Sequence, residues 1–251
     1  MTAGAARERV FLAGATGAIG ARLVRLLVEA GHAVFGATRS AAKAPALRQA
    51  GATAAIVDVF DALALSRLMV EIRPSIVVHQ LTDLPPGLDP SRMADAVARN
   101  ARIRDEGTRN LVTGAVEAGA SRLIAQSIAW VYAPGPEPHG EDDPLDVEAA
   151  DARGITVRGV AALERQVLGT PGLDGVVLRY GQLYGPGTGF DAATGKASPV
   201  HVDAAAFAAL LAIDRGEPGI YNVAEPNGLV ATDKVLRVLG WDARFRLPDS
   251  R

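Results

Sequence analysis

The sequence predicts an α/β fold in which a doubly wound parallel sheet is flanked by helices and followed by a small C-terminal lobe. Short β-branched runs alternate with longer stretches of helical periodicity along the 251 residues. Gly occurs 27 times and aromatic residues make up only 5%, which favours an aliphatic core with many tight turns. No linker or internal repeat divides the chain, so we expect a single domain over residues 1–251, with the lobe supplied mainly by 181–251.

The first half of the chain is predicted as alternating strands and helices. Residues 10–13 form an apolar run that stops at Gly14, and the helix predicted over 19–30 places Leu23 and Leu27 on one face before Gly31. Further strands are predicted over 33–38, 54–59, 75–81 and 122–127. Helices are predicted between them over 43–50, 62–71 and 93–119, the last long enough to contain a break.

The second half begins with a change of character. Residues 133–146 are rich in Pro and acidic side chains and are predicted as a loop over one end of the sheet. A helix over 157–168 and a strand over 175–180 then resume the pattern. A helix over 203–214, a strand over 220–223 and a helix over 232–239 are predicted in the remainder.

Charge and composition exclude several classes of protein. The 26 Lys and Arg residues against 28 Asp and Glu residues leave a formal charge of −2, and no basic run would bind a nucleic-acid backbone. The absence of Cys removes disulfides, thiolate nucleophiles, iron–sulfur clusters and Cys-ligated zinc. No apolar stretch approaches the ~20 residues of a membrane span. We therefore expect a cytoplasmic protein with no membrane or nucleic-acid partner, and no metal site at the acidic run 141–143.

A glycine turn follows the first predicted strand. Gly14 allows a tight turn, Gly17 lets a pyrophosphate approach the backbone, and Gly20 lets helix and strand pack closely. The anion is then bound by unpaired N–H groups at the positive end of the helix. We expect a dinucleotide to contact Gly14, Thr16, Gly17, Ala18, Ile19 and Gly20.

The end of the second strand decides which dinucleotide is preferred. A carboxylate there would bind the ribose 2′-hydroxyl and repel a 2′-phosphate, but this sequence has Arg39 and Lys43 and no acidic residue. A guanidinium can hold a phosphate with two parallel hydrogen bonds. The sequence therefore predicts NADP(H) over NAD(H). The alternative, in which Arg39 is a solvated surface charge and NAD is used, stays open.

Several further segments, taken in this order, resemble one family. Asp58-Val59 is similar to a pair that contacts adenine, and Gln80-Leu81-Thr82 lies in a segment similar to the one beneath the cofactor ribose. Segments 107–111, 125–132, 179–187 and 200–203 are similar to later family motifs. The chain resembles the extended short-chain dehydrogenase/reductases, the NAD(P)-dependent epimerase/dehydratase proteins. The resemblance implies a Rossmann-like fold in which the C-terminal lobe binds substrate.

The resemblance also locates the catalytic positions, and here the sequence departs from the family. Redox members use a Tyr and, four residues later, a Lys on one helix face; these positions fall on Thr156 and Val160. An aliphatic hydroxyl is a much weaker acid than a phenol of pKa about 10, so it is a poor proton relay. The family's Ser or Thr position falls on Ile128, with Ser127 one residue earlier and facing the other side of the strand.

Other side chains are candidates to supply the missing proton. Ser127 and Tyr132 are the predicted catalytic residues, although the Tyr132 hydroxyl is also expected as a packing group with a bonded partner. Tyr184, His139 and His201 are further candidates in loops or at strand ends, each with a structural alternative. The resemblance implies an Asn where Arg104 stands, while Asn100 occurs earlier, and His79 is expected to be structural beneath the cofactor.

These observations favour an NADP-dependent oxidoreductase that acts on a carbonyl or alcohol of a small molecule. A catalytically degenerate NADP(H)-binding sensor or partner-binding protein is the alternative, because the proton relay is missing. A non-redox isomerase or lyase on the same fold is a second alternative. The resemblance also implies a homodimer that pairs through the helices over 93–119 and 157–168.

Overall fold

The computed structural model describes residues 7–194 and 197–248. Its strands are β1 (Arg9–Ala13), β2 (Ala33–Thr38), β3 (Thr53–Ile56), β4 (Ile76–His79), β5 (Arg122–Ile128), β6 (Asp174–Tyr180), β7 (Gln182–Tyr184), β8 (Pro199–His201) and β9 (Gly219–Val223). Its α-helices are α1 (Ala18–Glu29), α2 (Ala44–Gln49), α3 (Ala62–Ile72), α4 (Met93–Arg102), α5 (Thr108–Glu117), α6 (Asp151–Leu168) and α7 (Val202–Leu211).

Seven parallel strands form the main sheet in the order β3-β2-β1-β4-β5-β6-β9. The chain winds from β1 outward to β3, returns to β4 beside β1, and then winds in the opposite direction. Ala13 pairs with His79 where β1 and β4 lie side by side. Because the winding direction reverses between these strands, a crevice opens at their carboxyl ends. The predicted Rossmann-like, doubly wound parallel sheet is confirmed.

Two apolar layers cover the two faces of this sheet. On one face α1 packs against α7, and the buried core includes Leu23, Leu27 and Leu47. On the other face α3, α5 and α6 bury side chains such as Met69 and Leu163. Both faces of the central strands are therefore dry, which explains why those strands are almost continuously apolar in sequence.

The C-terminal part of the chain shares this sheet and core. β9 pairs with β6 at the edge of the sheet, and α7 packs on α1. β7 and β8 form a separate parallel pair just after β6. The region predicted as a lobe is thus continuous with the sheet, and it adds one wall to the crevice through Gly181, Gln182 and Leu183.

The element boundaries differ from the sequence predictions in a few places. The predicted break in the helix over 93–119 is a π-helical segment, Ile103–Gly107, between α4 and α5. α6 begins at Asp151 rather than at 157, because its first turns carry polar residues without apolar periodicity. β7 and β8 were not predicted, since three-residue strands are too short to show alternation. The last predicted helix is mostly the π-helical segment Val235–Leu239.

The described residues also bear on the expected homodimer and on the expected lack of a membrane-spanning helix. Large apolar side chains are exposed on the helices predicted to pair, at Val116, Ile155 and Leu168. They lie apart along the helices, so the homodimer stays a prediction. Within residues 7–194 and 197–248 no helix combines the length and the apolar character needed to cross a bilayer.

The approach of α1 to β1 gives a first testable prediction. A Cβ on Gly20 would lie 2.1 Å from the Gly14 carbonyl oxygen, so Gly20→Ala forces the helix away from the strand. We expect its free energy of unfolding in urea to fall by about 2 kcal/mol, although Ala favours helix. Gly140→Ala, where a Cβ meets nothing within 4 Å, is the matched control. Equal stability of the two variants would contradict this packing role.

Candidate active site

A single cleft of about 690 Å³ lies over the carboxyl ends of β1, β2, β4, β5 and β6. It collects residues that are far apart in sequence but were predicted to contact one cofactor. Those that line it are Gly14, Thr16, Gly17, Ala18, Ile19, Arg39, Asp58, Val59, Gln80, Leu81 and Thr82. Gly20 lies behind the wall, where its missing side chain lets α1 approach β1.

The glycine turn forms the narrowest part of the cleft floor. Gly14 has φ +86°, and a Cβ there would lie 2.5 Å from the Gln80 carbonyl oxygen. The Gly17 amide donates to the Gly14 carbonyl at 3.0 Å, and α1 then begins with no side-chain cap on its free N–H groups. The turn therefore presents uncapped amides to the cleft, as an anion site requires.

Two cations without partners lie at one end of the cleft. Arg39 and Lys43 follow β2, both are exposed, and neither has a hydrogen-bond or ion-pair partner among the described residues. Asp58, which follows β3, accepts a hydrogen bond from the Phe60 amide at 3.0 Å. This end of the cleft thus has free positive charge suited to a phosphate group.

The floor beside β4 contains an unsatisfied polar atom. Gln80 is almost fully buried; its amide nitrogen lies 3.5 Å from the Tyr180 hydroxyl, and its Oε1 has no partner. A buried acceptor without a donor is costly. The missing donor, the glycine cradle and the free cations together fit a nicotinamide dinucleotide lying across the switch point.

His79, at the end of β4, is structural as predicted. Its Nδ1 accepts from the Leu81 amide at 3.2 Å, so Nε2 carries the proton and faces Thr108 Oγ1 at 3.1 Å. Burial, with a smaller contribution from the charge of Arg104, lowers the pKa of His79 to about 4. The imidazole is therefore neutral at physiological pH and holds the segment after β4 in place.

A buried network behind β5 holds both predicted catalytic residues. Ser127 donates to Glu164 at 2.8 Å, and Arg179 binds the same carboxylate through two nitrogens at 2.9 and 2.7 Å. The Tyr132 hydroxyl donates to Asn222 at 2.6 Å and accepts from Arg179 at 2.9 Å. Neither Ser127 nor Tyr132 lines the cleft, so their placement does not support the predicted catalytic roles.

The physical cause is the alternation of β5. Ser127 faces the helix layer and donates to Glu164 there, and the next residue, Ile128, faces the cleft. Burial raises the pKa of the Tyr132 phenol despite the neighbouring Arg179. The Ser127 hydroxyl thus joins β5 to α6, and the Tyr132 hydroxyl joins the segment after β5 to β6 and β9.

The other candidate proton donors are also placed outside the cleft wall. Tyr184 donates to Glu225 at 2.7 Å, His201 accepts from the Asp203 amide at 3.2 Å, and His139 stacks on Tyr132. None of the three lines the cleft. Their structural alternatives agree with these contacts.

The family positions on α6 have different environments. Thr156 lines the cleft, whereas Val160 is fully buried against Ile128 and Val157. α6 itself contains no Tyr and no Lys. In the family pattern, the Lys lowers the pKa of the Tyr phenol next to the substrate. α6 has neither residue, so it does not supply this proton donor.

Several cleft residues were missed by the sequence predictions. Tyr180, at the end of β6, lines the floor, and burial raises the pKa of its phenol well above the ordinary value. Gln126, Trp130 and Gln182 line the substrate side, and Arg104 projects there from the π-helical segment. Tyr180 could have been predicted as a cleft residue, because it lies at the carboxyl end of a predicted strand. Arg104 was identified from the sequence only as a departure from the family pattern.

The fold and cleft define a Rossmann-like protein with a nicotinamide-dinucleotide type of crevice. The chain belongs to the NAD dependent epimerase/dehydratase family, whose model matches residues 10–200. A Streptomyces protein, the 3-diazoavenalumate denitrifying reductase, is 41% identical over 243 residues, covering 86% of this chain and 76% of the relative.

Solved structures support the same fold. The UDP-glucose 4-epimerase of Thermotoga maritima, solved with UDP-glucose, has a TM-score of 0.77 at 18% identity and covers 95% of this chain and 94% of its own. The Bordetella bronchiseptica enzyme WbmG, in complex with NAD, has a TM-score of 0.73 at 19% identity and covers 98% and 92%. At such low identity these structures establish the architecture alone.

The buried imidazole gives a pH prediction. The unfolded chain binds a proton at His79 near pH 6.5 while the folded chain does so only near 4, so stability is lost as pH falls between these values, by up to about 3 kcal/mol. Urea unfolding at several pH values measures this slope, and His79→Gln should flatten it. An NMR titration of the His79 ring with a midpoint near 6.5 would contradict the assignment.

Proposed function

We propose that the protein is an NADPH-dependent reductase that delivers a hydride to a small acceptor at the Ile128 and Thr156 end of the cleft. One observation carries the proposal: an intact dinucleotide cradle is joined to a substrate end where, among the described residues, no side chain is arranged to give a proton. The family membership and the 41% identical reductase support oxidoreductase chemistry.

The preference for NADPH is inferred from the cations after β2. Arg39 and Lys43 line the cleft without competing partners among the described residues, and no acidic side chain follows β2 there. Their positive charge favours a 2′-phosphate, while a ribose hydroxyl gains little from it.

A double variant tests this preference. Arg39→Ala with Lys43→Ala should weaken NADPH binding by roughly 10- to 100-fold, since two charge-assisted contacts are lost, and leave NADH binding nearly unchanged. Isothermal titration calorimetry measures both affinities. Arg48→Ala, which removes an exposed cation of α2 outside the cleft, is the control. A wild-type protein that binds NADH more tightly than NADPH would refute the preference.

The acceptor must suit a cleft without a proton relay. The polar side chains at the substrate end, including Gln126, Thr156 and Gln182, are weak acids, and burial makes the Tyr180 phenol a weaker one. When bound, NADPH supplies a hydride. A carbonyl that accepts a hydride becomes an alkoxide and needs a proton, so it is poorly served here.

A diazonium group is an acceptor that can take up a hydride without needing a proton. An arenediazonium ion that takes up a hydride gives an arene and dinitrogen: a C–H bond forms, the C–N bond breaks, and the two hydride electrons stay with the substrate. The positive charge and the hydride cancel, so no net proton is consumed. The name of the 41% identical relative joins a diazo substrate, denitrification and reduction. We therefore infer that this chain reduces a diazo compound with loss of N₂, while its residues bind and orient the acceptor.

Two matched acceptors test the reaction. The compounds 4-carboxybenzenediazonium and 4-carboxybenzaldehyde share a ring and a carboxylate and differ in the group that is reduced. With NADPH, we expect protein-dependent formation of benzoate from the first, at least about 100-fold faster than reduction of the second. Product chromatography and loss of NADPH absorbance are the measurements. NADPH deuterated at the transferred position should place deuterium in the benzoate.

The controls separate the alternatives. A reaction without protein gives the background reduction of the diazonium ion. If the aldehyde is reduced rapidly, at a rate that falls at high pH, the protein is a carbonyl reductase and the proposal of a diazo substrate is refuted. Tight NADPH binding with no turnover of either acceptor would favour the sensor.

A further inference from the structure

Arg104 is the only cation on the substrate side of the cleft within the described residues. The other two cations in the cleft wall, Arg39 and Lys43, follow β2. Arg104 comes from the π-helical segment between α4 and α5, and its Nη1 donates to the Thr156 carbonyl at 3.4 Å. Its side-chain stem packs beside Gly159, where an added Cβ would lie 3.5 Å from the Arg104 Cδ. The same Cβ would lie 3.2 Å from the Ala101 Cα, so the lack of a side chain at Gly159 mainly allows the close approach of α6 to α4.

The carboxylates around Arg104 are already paired with other arginines. On its own segment, Asp105 binds Arg109 at 2.6 Å and Glu106 binds Arg102 at 2.7 Å. Across the cleft rim Asp83 lies 3.2 Å from Arg99, and on α6 Glu164 binds Arg179 at 2.7 Å.

Arg104 therefore has no carboxylate partner among the described residues, and its hydrogen bond to the Thr156 carbonyl uses one of five N–H groups. Burial lowers the pKa of Arg104 to about 10, while the more distant Glu164 opposes this effect. The guanidinium is still charged at neutral pH. A partly buried charge without a counterion is unfavourable and is stabilised by any anion that enters the cleft.

The position of Arg104 separates it from the phosphates of a dinucleotide. The pyrophosphate site lies at β1 and the free cations follow β2, whereas Thr156 and its neighbours pack against the end of β5. Two strand intervals, about 9 Å, lie between β1 and β5, and three intervals, about 14 Å, lie between β2 and β5. The anion that meets Arg104 thus belongs to the second ligand of the cleft.

We propose that Arg104 binds a carboxylate of the substrate, so that the acceptor is an apolar-bodied carboxylic acid. This inference rests on the proposed function in that both ligands share one cleft. The apolar body is matched by apolar side chains of the cleft wall, which include Leu84, Val97, Trp130 and Phe190. The planar guanidinium fork suits a carboxylate through two parallel hydrogen bonds.

The assignment also removes an electrostatic conflict in the proposed reaction. A diazonium cation would be repelled by an unpaired arginine in the same cleft. A carboxylate on the same substrate neutralises that arginine, so a zwitterionic acceptor enters where a simple cation does not. The carboxylate also fixes one end of the substrate, which orients the other end for reaction.

Binding of an unreactive pair tests Arg104 without turnover. Cinnamate and cinnamamide have the same shape and differ in charge, and calorimetry on the full chain saturated with NADP⁺ measures both. We expect cinnamate to bind the wild type roughly 10- to 100-fold more tightly than cinnamamide. Arg104→Met should abolish this difference, and Arg104→Lys should retain part of it. Arg92→Met removes an exposed arginine outside the cleft wall and should leave the difference intact.

The outcomes distinguish this inference from the proposed function. Equal binding of cinnamate and cinnamamide, or an Arg104→Met variant that keeps their difference, would overturn the role of Arg104 even if NADPH is bound and oxidised. An Arg104→Met variant that loses NADP⁺ affinity and keeps the carboxylate preference would assign the arginine to the cofactor and also overturn it. Failure of NADPH to bind would refute the proposed function, yet the same comparison on the unliganded chain still tests Arg104. Circular dichroism checks that each variant is folded.

Discussion

The close contact between the Gly14 turn and the backbone of β4 governs the rest of the site. Only a residue without Cβ fits beside the Gln80 carbonyl, and its positive φ turns the chain from β1 into α1. This contact occurs where the sheet changes winding direction. This contact brings three features to one place: the uncapped amides of α1, the buried Gln80 side chain and the opening toward β5. The cleft forms because the backbone at Gly14 can touch the backbone at Gln80.

A second constraint decides what chemistry the cleft can support. The buried Glu164–Arg179 pair joins α6 to β6 and recruits Ser127 and Tyr132 through their hydroxyl groups. Fully bonded hydroxyls satisfy a buried network, but they are not free to exchange protons with a substrate. The residues that do face the cleft from β5 and α6 are Gln126, Ile128 and Thr156, and none of them is an effective proton donor. A reaction that consumes hydride without a proton is consistent with this division.

The cations that line the cleft differ from the other cations near it in having no carboxylate partner among the described residues. Most arginines near α4, α5 and α6 are matched to a carboxylate; two of these pairs join neighbouring helical turns, and two join a helix to another segment. The cations in the cleft wall lack such matches. Arg39 and Lys43 lie after β2, and Arg104 lies beside α6 at the other end of the cleft, so each end favours an anion of its own.

The sequence by itself predicted the doubly wound parallel sheet, the alternation of strands and helices along the chain, and most of the residues that the sheet brings together in the cleft. These follow from local patterns: apolar runs, the glycine turn, and residues directly after strands, all of which a parallel sheet places at one edge. The tertiary structure alone decided that Ser127 binds Glu164, that Tyr132 joins Arg179, and that Arg104 has no carboxylate partner among the described residues. Such outcomes depend on contacts between residues 37 to 90 positions apart, since a carboxylate on α6 or an amide on β9 can bind a hydroxyl that local sequence leaves free.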